Sequence, residues 1–313
     1  MNERLTTRSD YAMRLERVFR WLADHLDDTL DLARLAEVAA MSPYHFHRTY
    51  HAMQGETAAE TVRRLRLHRA AVELITGELP VPRVARRAGY GSQEAFTRAF
   101  KAAYGVPPAR YRASFVPSPT LRGPSDQPPL FKLRRSAGAL AKAERTGPTG
   151  AEDAMDTTTT YLATIRETPV LRVAALAHHG EYMNIGSTFE RLMAIAGGQG
   201  LLGPSTRSFG IYYDDPTSTP RDALRSDACV TLPDGKTPSG ELQVREIRGG
   251  RYAVTLHVGP YAELHFPYTW LYGSWLPTSG EEPAHAPSIE EYLNDARVVP
   301  PSELRTEIWL PLR

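Results

Sequence analysis

The chain has 313 residues, of which 42% are hydrophobic, and its formal net charge is only +1 at pH 7. This length suits two ordinary domains, and the absence of an 18-residue apolar run or a signal-like segment predicts a cytoplasmic protein without a membrane partner. The single cysteine, Cys229, excludes an internal disulfide framework and a cysteine-based zinc cluster. Its strand-like setting predicts a buried apolar role.

Charge is distributed unevenly along the chain. Residues 1–115 carry 18 Lys and Arg against 13 Asp and Glu, whereas residues 156–313 carry 13 against 19. A basic surface suits a polyanion, so the charge distribution favours a nucleic-acid partner for the front of the chain only.

Two fourteen-residue segments near the N-terminus follow one pattern, S-x-x-x-F-x-R-x-(aromatic)-x-A-x-x-G. They are SPYHFHRTYHAMQG from Ser42 and SQEAFTRAFKAAYG from Ser92. Each opens with a serine suited to cap a helix and closes with a glycine, Gly55 or Gly105, suited to a left-handed C-cap. A short amphipathic helix is predicted before each copy, in LARLAEVAAM and VPRVARRAGYG. The sequence therefore predicts two helix-turn-helix units.

The segment ETAAETVRRLRLHRAAVELITGEL, which joins the two units, predicts one longer helix. A helix of about 20 residues spans about 30 Å, close to one turn of B-DNA, so it suits two reading helices in successive major grooves.

Residues 11–115 resemble the DNA-binding domain of the AraC/XylS family of transcription regulators. The resemblance rests on the motif I-x-x-(V/I)-A-x-x-x-G-Y/F-x-S-x-x-x-F-x-R-x-F-K-x-x-x-G-x-x-P-x-x-Y-R. The matching residues are Val81, Val84, Ala85, Gly89, Tyr90, Ser92, Phe96, Arg98, Phe100, Lys101, Gly105, Pro108, Tyr111 and Arg112. It implies an all-α double helix-turn-helix domain over residues 1–115 that binds double-stranded promoter DNA, with RNA polymerase as a further candidate partner.

The N-terminal half of a recognition helix faces base edges, and this selects the residues predicted to contact DNA. They are Tyr44, His47 and Arg48 in the first helix and Gln93, Glu94, Thr97 and Arg98 in the second. We predict base readout by at least one of Arg48 and Arg98, with phosphate contact or pairing with acids as the alternative. Two arginines of the connecting helix, Arg63 and Arg64, are also assigned to DNA, and Arg63 is predicted to contact it without regard to sequence.

Other residues of the two repeats are predicted to be structural. The aromatic residues at a spacing of four are predicted to lie in the core; they are Phe46, Tyr50, Phe96 and Phe100. His47 and His51 have the spacing of zinc ligands on a helix, but no third ligand is evident, so neither a metal nor another cofactor is predicted.

Residues 116–156 are rich in Pro, Gly, Ser and Thr, which predicts a partly flexible linker. Beyond it, ATIRETPVLRVAALAHHGEY and ELQVREIRGGRYAVTLHVGPY are a second repeat, at an offset of 79 residues. Each copy predicts two strands, and each is followed by a helix-like segment and two more strands. Residues 157–313 are therefore predicted to form an α+β domain, with one antiparallel sheet, two helices, a pseudo-twofold axis and a groove where the halves meet.

Residues 157–313 resemble the gyrase-inhibitor-like (GyrI-like) effector-binding domain, which occurs alone, behind multidrug-responsive regulators and in small hydrolases. The matching segments are IYYDDPTSTPRDALRSDACVTLP, GGRYAV and PSIEEYLND with the closing TEIWLPL. The resemblance implies a small-molecule effector and assigns Glu290 to the ligand pocket. Strand alternation puts Glu290 and Tyr292 on one side of the sheet, with Ile289 and Glu291 on the other.

Aromatic residues are concentrated between positions 261 and 275. Aromatic faces attract cations by about 0.5–2 kcal/mol each, and a buried carboxylate adds attraction for positive charge, so the ligand is predicted to be a small aromatic or cationic molecule. The residues assigned to it are Tyr182, Tyr261, Tyr268, Trp270, Tyr272, Trp275 and Glu290. The alternative is that at least half of the aromatic residues fill the core.

These features predict a ligand-responsive, one-component transcription regulator that is not an enzyme. No nucleophile elbow, metalloprotease motif or phosphate loop is present. The alternative function is a DNA-binding protein whose second domain hydrolyses a reactive molecule, with Glu290 as general acid or base and help from His178 and His257 on adjoining strands. A weaker alternative is a protein partner for that domain.

Overall fold

The computed structural model describes residues 2–114 and 161–313, with side chains for residues 8–113 and 161–313. The predicted linker at 116–156 lies outside the described residues, and the domain boundaries stay predictions. The described residues divide into two compact units. The first unit contains residues 2–18, 31–53 and 161–313; the second unit contains residues 19–30 and 54–114.

The helices of residues 2–114 match the predicted double helix-turn-helix pattern. They are α1 (Asn2–Asp24), α2 (Leu32–Val38), α3 (Pro43–Gln54), α4 (Ala58–Thr76), α5 (Val81–Arg87), α6 (Gln93–Tyr104) and α7 (Pro108–Ser114). The two helix-turn-helix pairs are α2 with α3 and α5 with α6, and α4 is the predicted connecting helix.

Local hydrogen bonds explain where these helices begin and end. Ser92 caps α6, since its hydroxyl accepts the Ala95 N–H at 3.1 Å, and Gly105 ends α6 in the left-handed conformation. Helix α4 begins with a capping box in which Thr57 and Glu60 each accept the other's backbone N–H.

The predicted core aromatic residues are buried, as expected. In the second unit Phe96 and Phe100 are inaccessible and pack with Leu74 and Val84. In the first unit Phe46 and Tyr50 are equally buried on α3. Because each recognition helix is anchored through this face, its opposite face is left for other contacts.

The described part of the second half forms one eight-stranded antiparallel sheet, in the order β1-β6-β8-β7-β3-β4-β2-β5. The strands are β1 (Ala163–Thr168), β2 (Leu171–His179), β3 (Ser208–Tyr212), β4 (Arg225–Thr231), β5 (Gln243–Ile247), β6 (Gly250–Val258), β7 (Ser288–Tyr292) and β8 (Arg305–Pro311). Helix α8 (Ile185–Gly198) follows β2. Helix α9 (His265–Trp270) follows β6 and continues through a π-helical turn, Leu271–Trp275, into α10 (Leu276–Ser279).

The two halves are related by a pseudo-twofold axis between the central strands β3 and β7. The first strand of each half pairs with the second strand of the other half: β1 pairs with β6, and β5 pairs with β2. Equivalent strands therefore lie on opposite sides of the axis, and four strands separate β2 from β6. The expectation that His178 and His257 lie on adjoining strands is wrong for this reason.

Side chains alternate between the two faces of the sheet. One face carries a cluster around Phe209, Cys229, Tyr252 and Trp309, so the buried role predicted for the cysteine is confirmed. The other face packs against α8 in the first half and against α9–α10 in the second. Among the described residues, no helix is both long and apolar enough to cross a membrane.

Candidate functional site

A cavity of about 980 Å³ lies in the first unit, on the helix-bearing face of the sheet. Its walls come from α8 and the turn before it, from α9 and the turn before it, and from the central strands β3 and β7. Helix α3 supplies Arg48, His51 and Ala52 to the same wall. The cavity thus occupies the predicted groove where the duplicated halves meet.

Glu290 is buried in this cavity, and tyrosine hydroxyls hold both of its oxygens. Tyr268 donates to Oε1 at 3.1 Å and Tyr292 donates to Oε2 at 2.9 Å. Burial raises the pKa of Glu290, while these hydrogen bonds and the charge of Arg48 oppose the rise. A negative charge at this position is costly unless a positive group compensates it.

The alternation predicted for β7 is confirmed. Glu290 and Tyr292 line the cavity, whereas Glu291 points to the opposite face and pairs with Arg207 at 2.7 and 2.8 Å. That arginine lies 4.9 Å from the ring centroid of Phe209. Two adjacent glutamates therefore have different chemistry, and only one of them faces the cavity.

The residues assigned to the ligand fall into two groups. Tyr182, Tyr261 and Tyr268 line the cavity together with Glu290. Of the other three, Tyr272 is buried in the core cluster of the π-helical turn and α10, and Trp270 and Trp275 are partly buried and pack against that cluster. Because the helix continues through these positions, its later aromatic side chains turn into the core. Their assignment to the ligand stays a prediction.

Sequence reasoning missed the symmetric partner of Tyr292. Tyr212 occupies the equivalent position on β3, and the two hydroxyls meet at 2.5 Å across the pseudo-twofold axis. Since Tyr292 donates to Glu290, Tyr212 donates to the Tyr292 oxygen. The residue equivalent to Glu290 is Gly210, directly opposite it in the sheet register, so the site has one acid where strict symmetry would give two. The repeat would have revealed Tyr212 if extended to these strands.

Arg48, assigned to DNA from the sequence, lies against the cavity. Its guanidinium donates to Ser288 Oγ at 2.9 Å and to the Asp214 carbonyl at 3.2 Å. The guanidinium carbon is 4.8 Å from the ring centroid of Tyr268, within the range of a cation–π contact. Its role in DNA binding stays a prediction, and in this conformation Arg48 contacts residues of the second half of the chain.

His45, three residues earlier on α3, fixes the helix against the same domain. Its ring is buried and lies 3.0 Å from the Ala284 carbonyl and 2.7 Å from the Tyr272 hydroxyl. Burial lowers the pKa of His45 to about 3, so the ring is neutral. The nitrogen facing the carbonyl then donates, and the other accepts from the tyrosine. The hydroxyl of Tyr272 in turn lies 2.9 Å from Ser288 Oγ, which also accepts a hydrogen bond from Arg48.

A second buried acid in the cavity wall, Asp215, is only partly satisfied. Its Oδ1 accepts two hydrogen bonds from Thr217, but Oδ2 has no hydrogen-bond partner among the described residues. His47 of α3 is also buried, and its Nε2 likewise lacks one in the described part of the chain. Burial lowers the pKa of His47, and the charge of Asp215 opposes this effect.

The second recognition helix has a different environment. Gln93, Glu94 and Arg98 of α6 are exposed, and Thr97 is half-buried. On α4, Arg63 is exposed, while Arg64 pairs with Glu56 at 2.6 Å. The base-facing positions of α6 are therefore open, and their assignment to DNA stays a prediction.

Comparison with known proteins gives a match for each half of the chain. A family model for a GyrI-like small molecule binding domain matches residues 163–313, and one for a helix-turn-helix domain matches residues 35–114. YgiV of Escherichia coli K12, described as a probable transcriptional regulator, is 35% identical over 109 residues, which are 34% of this chain and 68% of YgiV. The regulatory protein SoxS of Salmonella typhimurium is 32% identical over 98 residues, 31% of this chain and 92% of SoxS.

Among solved structures, EcmrR in a DNA complex is similar at 19% identity with a TM-score of 0.42. The match covers 50% of this chain and 59% of the EcmrR chain. A DNA-binding double helix-turn-helix combined with a small-molecule-binding domain defines a ligand-responsive transcription regulator. The chain belongs to the AraC/XylS family of these regulators, and its second half is a GyrI-like domain.

Proposed function

We propose that the cavity around Glu290 is the effector site and that its effector is a small, largely apolar aromatic molecule with a positive charge. The observation that carries this proposal is a buried carboxylate inside a cavity walled by aromatic rings. The volume of about 980 Å³ is near the upper end for pockets that hold drug-sized ligands. Such a cavity suits multidrug sensing, since shape and charge select ligands more than specific hydrogen bonds do.

The electrostatics of the cavity favour a cation over a neutral ligand. Glu290 is 5% exposed and Asp215 is 8% exposed, so both carboxylates have lost most of their water. A ligand cation restores the compensation that water would give, and the rings of Tyr261, Tyr268 and Tyr292 offer it negative faces. An anionic ligand would meet repulsion from both acids.

The proposal is tested by replacing Glu290 with glutamine and, as a matched control, its neighbour Glu291. We expect Glu290→Gln to weaken binding of tetraphenylphosphonium about 10- to 100-fold, because the charged partner is lost while the shape stays. Glu291→Gln should leave this affinity unchanged, since that side chain pairs with Arg207 on the other face. Isothermal titration calorimetry of the full chain measures both. Equal affinity of both variants would contradict the proposal.

Acid should weaken cation binding in a way that depends on Glu290. Burial raises the pKa of Glu290 above the ordinary value of 4.5, and only the ionised form attracts a cation. The affinity for a cation should therefore be highest at pH values well above this raised pKa. It should decrease as the pH falls through that pKa. Calorimetric titrations over a pH series measure this dependence, and Glu290→Gln should remove the part of it that comes from the carboxylate.

For the other half of the chain, we propose that α6 reads promoter DNA and that the protein acts in the cytoplasm, where that DNA lies. Exposure of Gln93, Glu94 and Arg98 supports this assignment. RNA polymerase remains a candidate partner, and the boundaries 1–115, 116–156 and 157–313 remain part of the proposal. Catalysis is not part of it; turnover of a reactive compound that vanishes in Glu290→Gln would be the opposing result.

A further inference from the structure

The two recognition helices place equivalent arginines in opposite environments. Arg48 on α3 and Arg98 on α6 occupy the same position of the repeated motif. Arg98 is exposed, whereas the guanidinium of Arg48 is engaged by Ser288, the Asp214 carbonyl and the ring of Tyr268. A difference confined to one copy of a repeat indicates that this copy has an additional role.

The base-facing surface of α3 is covered. The rings of Tyr44 and His285 form an edge-to-face contact at a centroid distance of 5.2 Å, and His47 is only 9% exposed. A helix is about 10–12 Å across and the major groove about 12 Å wide, so the groove has no room for a second layer of protein on the reading face. While these contacts persist, α3 is unable to read DNA.

The surroundings of Arg48 are those of a bound cation. Its guanidinium lies over the face of Tyr268, and the hydroxyl of that same ring donates to Glu290. The negative charge of Asp215 raises the pKa of Arg48 and so favours its charged form. The positive charge of Arg48 in turn opposes the rise in the pKa of Glu290. The Oδ2 atom of Asp215, buried in the cavity wall, has no hydrogen-bond partner among the described residues and remains available to a donor. The ring of Tyr268 and the charges of Glu290 and Asp215, which suit a cationic effector, thus also act on Arg48.

We propose that Arg48 is a built-in competitor of the effector. Its guanidinium keeps α3 on the cavity wall until a ligand cation replaces it on the face of Tyr268 and beside Glu290, and α3 is then released to read DNA. This inference rests on the proposed function of the cavity, and it adds the direction of regulation.

The direction follows from linkage. If effector and Arg48 compete for one position, the effector raises the affinity for DNA, and DNA that captures α3 raises the affinity for the effector by the same factor. Couplings of this kind are typically about 5- to 150-fold. Neutral ligands of similar shape should bind without this coupling, because they do not displace the guanidinium of Arg48 from its partners.

The first test compares Arg48→Ala with Arg98→Ala, the matched control at the equivalent position. Tetraphenylphosphonium affinity of the full chain, measured by calorimetry without DNA, should rise about tenfold in Arg48→Ala, since the ligand no longer displaces an internal cation. Arg98→Ala should bind like the unmodified chain. An unchanged or weaker affinity in Arg48→Ala would overturn the inference.

The second test locks α3 in place. A Cβ on Gly273 would lie 3.1 Å from the Cβ of Ala52, and disulfides join Cβ atoms about 3.5–4.5 Å apart, so a small shift allows Ala52→Cys and Gly273→Cys to form one. The oxidised double variant should bind a duplex selected from a random pool by the full chain about tenfold more weakly than its reduced form. It should also lose the response to tetraphenylphosphonium, and reduction should restore both. Unimpaired DNA binding by the oxidised form would overturn the inference.

The two proposals fail in distinguishable ways. Binding of tetraphenylphosphonium that depends on Glu290 but is indifferent to Arg48 would keep the effector site and reject the competitor. Absence of binding in every variant, including Arg48→Ala, would reject the effector site and the competitor together.

Discussion

Replacement of Trp309 with alanine is expected to lower the free energy of unfolding of the first unit by about 3–5 kcal/mol. The side chain is 1% exposed and packs its ring against Phe209 and Tyr252 at centroid distances of 5.7 and 5.5 Å. Its Nε1 also donates to Glu307 at 3.1 Å, and Arg207 lies 5.5 Å from its ring centroid. Truncation leaves a cavity between strands on both sides of the pseudo-twofold axis, which the rigid sheet is unable to close.

Urea unfolding followed by circular dichroism measures this loss. Phe266→Ala is the control, because Phe266 is a large aromatic residue that is 54% exposed and should change stability by less than about 0.5 kcal/mol. Similar losses in the two variants would show that the face carrying Trp309 is not the principal core.

Replacement of Arg98 with alanine is expected to remove about 1–3 kcal/mol of discrimination between a selected duplex and a scrambled one. Arg98 is exposed near the middle of α6, and the proposed reading of DNA by this helix would bring its guanidinium to the edge of a guanine. The matched control is Arg63→Ala, which removes an exposed arginine from α4. It should weaken both duplexes alike and reduce the slope of log affinity against log salt by about 1.

Fluorescence anisotropy titrations of the full chain at several salt concentrations separate these outcomes. The reverse pattern, with discrimination lost in Arg63→Ala and uniform weakening in Arg98→Ala, would show that their roles are exchanged.

Local pattern predicted most of the fold because the forces that shape helices and strands act over short distances along the chain. Serine and glycine at the ends of α6 cap it through groups within four residues, as the motif implied. Strand alternation separated Glu290 from Glu291 correctly, since successive side chains of a strand point to opposite faces.

The engagement of Arg48 was beyond such reasoning. Its partners Ser288 and Asp214 are distant in sequence, and a motif typical of DNA recognition says nothing about which protein surface covers it. For a related reason, the sequence predicted the roles of only some aromatic residues between positions 261 and 275. Composition identified aromatic residues suited to a ligand, but the course of the helix decides that Tyr268 faces the cavity while Tyr272 enters the core.

The exchange of first strands has a consequence for how the domain is made. Residue Ala163 of β1 pairs with Thr255 of β6, so β1 lacks this partner strand until β6 of the second half has been synthesised. Neither half completes its own share of the sheet, and such distant pairings slow folding because a long loop must close before any contact forms. The GyrI-like domain should consequently fold in one cooperative step, once the strands of both halves have been synthesised.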